Sequence, residues 1–104
     1  LLPHVVRFNL EGDYELAQPT AAKYAAVVRM LAEKGKGKRS AARLPELVES
    51  LNETLGITQR LGDFGVEEKH LATVAEQSLP SGSLKANPRP ASQEELIEIL
   101  KSAL

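Results

Sequence analysis

Apolar residues recur along this chain at the spacing of an α-helix, and that constrains the fold more than any other feature. Tyr24, Val27, Val28 and Leu31 fall at i, i+3, i+4 and i+7, one stripe of a helix. Leu44, Leu47, Val48, Leu51 and Leu55 repeat the pattern, as do Leu71, Val74, Ala75 and Leu79. Leu96, Ile99, Leu100, Ala103 and Leu104 line one face of a last segment. No stretch sustains the two-residue alternation of β-branched residues that a half-buried strand needs. The expectation is an all-α chain, a bundle of about five helices.

Punctuation sets the helix limits. The opening run, Pro3 to Asn9, reads as the end of a helix that begins further upstream, with Pro3 tolerated in a first turn. Leu10 to Gln18 reads as a loop. A helix is predicted from Pro19 to Glu33, stopped by Gly35 and Gly37 within a flexible basic turn, Lys34 to Arg39. Pro45 inside a helix would cost ~3 kcal/mol, so the next regular helix is expected to start near Leu44 with Pro45 in its first turn. Gly56 is placed just past its end. Ile57 to Gly65 reads as a loop anchored in the core by Leu61 and Phe64. A fourth helix is expected from about Val66, with Glu67 and Glu68 favourable at its N-terminal dipole. Pro80-Ser81-Gly82-Ser83 breaks that helix, and the loop continues through Asn87-Pro88-Arg89-Pro90. Ser92 with Glu95 three residues on is a capping box, the clearest helix start in the chain.

Composition narrows the function. A chain of 104 residues is one domain or part of one. Thirteen basic and 14 acidic residues give a formal charge of -1, which offers no global attraction to nucleic acid or an anionic membrane. Cysteine is absent, which removes disulfides, a thiol nucleophile and Cys-ligated zinc, and fits a cytoplasmic protein. No apolar stretch approaches the ~18–20 residues of a membrane span. Phe8, Tyr14, Tyr24 and Phe64 are all the aromatics, too few for a base-stacking surface.

Candidate chemistry is sparse. His4 and His70 are the only histidines, and neither has a second metal ligand at helical spacing from it. Glu67 and Glu68 point in different directions on a helix. Glu94, Glu95 and Glu98 form the cap and solvated face of the last helix. Ser81 and Ser83 flank Gly82 without the Gly-x-Ser-x-Gly nucleophile elbow. Gly37-Lys38 is followed by Arg39, where a phosphate loop requires Ser or Thr. No catalytic, cofactor-binding or metal-ligating residue is assigned.

The order of segments carries more. Leu1-Leu2-Pro3-His4-Val5-Val6-Arg7-Phe8-Asn9 resembles the stretch that follows the metal-binding region of iron-containing (group III) alcohol dehydrogenases. Leu55-Gly56-Ile57, Leu61-Gly62-Asp63-Phe64-Gly65-Val66, Leu71-Ala72 with Ala75, Asn87-Pro88-Arg89 and the closing Glu94–Leu104 helix follow that family's tail in order. The resemblance covers essentially all 104 residues. It implies part of the all-helical domain of a dehydroquinate-synthase-like fold, residues 1–104 forming a single helical domain fragment. It also implies a parent enzyme, NAD(P)-dependent, that interconverts alcohols and aldehydes or ketones at iron or zinc. The family's ligands, one Asp and three His, lie on earlier helices, the last His in a His-Gly-x-x-Asn-Ala block just before the matched stretch. Neither that block nor the nucleotide-binding domain lies within these residues, so His4 aligns beside the site and not in it.

From this the segment alone is expected to be inactive. Its expected partner is the rest of the parent polypeptide, or a second copy, through exposed apolar helix faces. The alternative is a stand-alone helical protein-interaction module.

Overall fold

The computed structural model describes residues 1–31 and 40–104. Within them the chain forms six α-helices: α1 (Leu2–Leu10), α2 (Ala17–Leu31), α3 (Leu44–Thr54), α4 (Leu71–Ser78), α5 (Gly82–Lys85) and α6 (Gln93–Ser102). Short 3₁₀ turns at Ala41–Arg43, Leu61–Phe64 and Glu68–His70 join them, and no strand occurs among the described residues. The all-α expectation holds. The additional helix, α5, is a single turn inside the stretch expected to be loop. The basic turn Lys34–Arg39 and the expected end of the second helix, Ala32 and Glu33, lie outside the described residues.

Prolines and glycines act where the sequence places them. Pro45 is the second residue of α3, where its missing N–H has no intrahelical partner to lose. At the other end Gly56 adopts φ +73°, a left-handed conformation that suits glycine. Its N–H donates to the Glu53 carbonyl at 3.1 Å, and that of Ile57 to Asn52 at 2.8 Å. These two bonds form a complete Schellman stop. The second helix begins two residues earlier than expected. Pro19 is its third residue, still within the first turn, so it does not define the start.

Two corrections concern residues 61–79. Phe64 does not anchor in the core; it is 73% exposed. The Asp63 carboxylate accepts the Arg60 N–H at 2.7 Å and Gly65 takes φ +82°, closing a tight turn that directs Phe64 outward. Leu61 stays half-buried, its N–H donating to the Ala103 carbonyl at 3.0 Å. The fourth helix starts at Leu71, not near Val66. Glu67 is extended, and its N–H donates to Nδ1 of His70 at 3.0 Å, so a 3₁₀ turn precedes the regular helix. On α4 only Leu71 and Ala75 are fully buried, while Val74 and Leu79 remain partly exposed.

Two packed groups result. Val6, Val28 and Leu44 from α1, α2 and α3 form one core, with Leu10, Tyr24, Leu47 and Val48 packed against it. In the second group α4 lies against α6, burying Leu71 and Ala75, with Ala103 buried just past the end of α6. The whole measures 45 × 35 × 19 Å, so it is about two helix diameters thick. The loop between α5 and α6 returns to the end of α1 and joins the groups.

Candidate functional site

Arg89 is the centre of that junction. Pro88 and Pro90 restrict the backbone on either side of it, presetting the loop. Its guanidinium lies over the Phe8 ring, 3.7 Å from the centroid. Nη1 donates to the carbonyls of Phe8 at 2.6 Å and Glu11 at 3.0 Å, and Nη2 to Oε1 of Glu95 at 2.9 Å. One planar cation thus caps the C-terminal end of α1, stacks on its last aromatic ring and pairs with the first turn of α6. Gly12 makes room: its φ is +79°, and a Cβ there would stand 3.2 Å from the Arg89 Cζ. Glu95 is shared, its other oxygen accepting the Ser92 N–H at 2.9 Å. That backbone bond, with the Arg89 charge, holds the Glu95 carboxyl below its ordinary range.

A second set of bonds seals the same place. Asn9 is 3% exposed. Its amide exchanges hydrogen bonds with Asn87: Asn9 Nδ2 to Asn87 Oδ1 at 2.9 Å and Asn87 Nδ2 to Asn9 Oδ1 at 2.7 Å. Asn9 Nδ2 also donates to the Tyr24 hydroxyl at 2.9 Å, and Tyr14 donates its hydroxyl to the Asn9 carbonyl. Asn87 Nδ2 further donates to the Arg89 carbonyl at 2.7 Å. Among the described residues no buried side-chain polar atom lacks a partner. A fully satisfied polar network rigidifies the elements it joins.

Beside the junction runs a cleft of about 420 Å³ between α1 and α6, lined by His4, Arg7 and Phe8 on one wall and Glu94, Glu98 and Ser102 on the other. His4 is half-buried. Burial lowers its pKa, and the positive charges of Arg7 and Arg60 lower it further, against an opposing pull from Glu49. Arg7 itself pairs with Glu49 at 2.6 Å. A neutral imidazole suits a metal, but the neighbouring guanidiniums oppose a cation there.

The other sequence candidates are scattered. His70 is exposed and serves as a cap acceptor. Glu67 pairs with Lys69 at 2.8 Å and Glu68 with Lys101 at 3.1 Å. Ser81 and Ser83 are exposed at the start of α5. Of the Gly35–Ser40 stretch only Ser40 lies within the described residues, and it is exposed. Among the described residues no group of three His, Asp or Glu side chains could hold a metal ion. The donor set among the described residues does not fit the metal that the resemblance implies. Asn87 and Arg89 have one local signal in the sequence, the prolines that flank Arg89; Asn9, 78 positions from Asn87, has none.

Comparison with known proteins gives this geometry a setting. The model of the Fe-containing alcohol dehydrogenase family, C-terminal part, matches residues 1–104. The chain belongs to the Fe-containing alcohol dehydrogenase family. Its relatives include the 1,3-propanediol dehydrogenase of Citrobacter freundii, 35% identical over 99% of this chain and 26% of the relative. The lactaldehyde reductase of Escherichia coli K12 is 33% identical with the same coverage. The crystal structure of a 1,3-propanediol oxidoreductase superposes with a TM-score of 0.81 at 31% identity, covering 99% of this chain and 26% of that one. The chain therefore spans about a quarter of the length of the relatives it matches. Within the family it corresponds to the C-terminal helical segment, and the Arg89 junction fixes the first helix of that segment against the last.

Proposed function

We propose that this chain is the C-terminal helical framework of a metal-dependent, NAD(P)-linked oxidoreductase that interconverts an alcohol with an aldehyde or ketone. The observation that carries the reading is the end-to-end match to the C-terminal part of the family, with a backbone close to that of the oxidoreductase. The names of the relatives support the reaction class: a propanediol dehydrogenase, a lactaldehyde reductase and an NAD-dependent methanol dehydrogenase. Iron enters through the family's description, and NAD through the name of the methanol dehydrogenase. In this reading the segment holds α1 rigid, backs the metal-bearing helices and walls one side of the cleft between domains. The reacting groups and the cofactor sites lie in the preceding polypeptide.

A chimera tests the proposal. The part of the Citrobacter freundii 1,3-propanediol dehydrogenase that precedes the matched segment is joined to this chain. The expected result is 1,3-propanediol dehydrogenase activity in the chimera and none in the 104-residue chain alone. A chimera with native-like helicity and cooperative melting but no activity would contradict the reading. A second reading, a stand-alone helical interaction module, draws on the large apolar side chains left exposed, including Leu55, Ile57 and Met30. It predicts a cooperatively melting chain that forms a specific complex unrelated to dehydrogenase activity.

A further inference from the structure

We draw no further inference here: the strongest candidate, the exposed apolar side chains of Leu55, Ile57 and Phe64 on the turns between α3 and α4, carries nothing because nothing in the structure shows what covers them.

Discussion

The α1–α3 group and the α4–α6 group differ in how many side chains they bury and in how their ends are held. In the first, Val28 and Leu44 are almost wholly removed from water, 0% and 4% exposed, and three helices share one apolar core. In the second, burial is confined to Leu71, Ala75 and Ala103, and the ends are secured by polar bonds. Ser92 and Glu95 cap α6 at its start; at its end the Arg60 guanidinium donates to the Ser102 carbonyl at 2.9 Å. The first group shares one apolar core among three helices. The second buries fewer side chains, though Leu71 is as dry as Val28, and adds caps and the Arg89 tie to α1.

The largest expected effect falls on the first group. Leu44→Ala should cost about 2–5 kcal/mol of unfolding free energy, read from denaturant melts, because it opens a cavity among three helices. A cost below about 1 kcal/mol, the level of surface substitutions, would remove the basis for calling this group the packed one. Arg89→Ala should cost on the order of 3 kcal/mol, since it severs charge-assisted bonds to Phe8, Glu11 and Glu95 together. Its signature is regional: amide exchange should quicken across α6 while α2 and α3 keep their protection. Arg89→Lys should recover little, because an ammonium cannot reproduce the planar fork. Uniform loss of protection would mean that the two groups are one cooperative unit.

Ser92→Ala should cost about 1 kcal/mol and stay local to the first turn of α6. The smallest effects are in acid. The folded pKa of His4 lies below its ordinary 6.5, so its contribution to stability is full above that pH and is lost as pH falls through the lowered value. Glu95, held below its ordinary 4.5, behaves the same way at lower pH. Acid melts should therefore weaken in two stages. His4→Gln should abolish the first and Glu95→Gln the second, and a variant chain with both stages intact would contradict these assignments.

Local signals made much of the fold legible. Pro45 and Gly56 bound α3, and Ser92 with Glu95 starts α6, because each acts through neighbours within a few residues. Phe64 and the start of α4 depart from the pattern of the sequence for a related reason. Both depend on side chains, Asp63 and His70, that satisfy a backbone N–H three residues back and favour a tight turn over a helix. The Arg89 junction was the least legible, since its contacts to Phe8 and Glu11 cross 81 and 78 positions. His4 borders a cleft that it shares with Arg7 and with the carboxylates of Glu94 and Glu98.

In the proposed function these residues supply a framework and the reacting groups lie outside them. The deciding measurement is metal analysis of the purified 104-residue chain, expressed with iron and zinc supplied and then dialysed. Far less than one ion per chain is expected, with no change on His4→Gln. One tightly held ion per chain, lost in the His4 variant, would overturn the framework role.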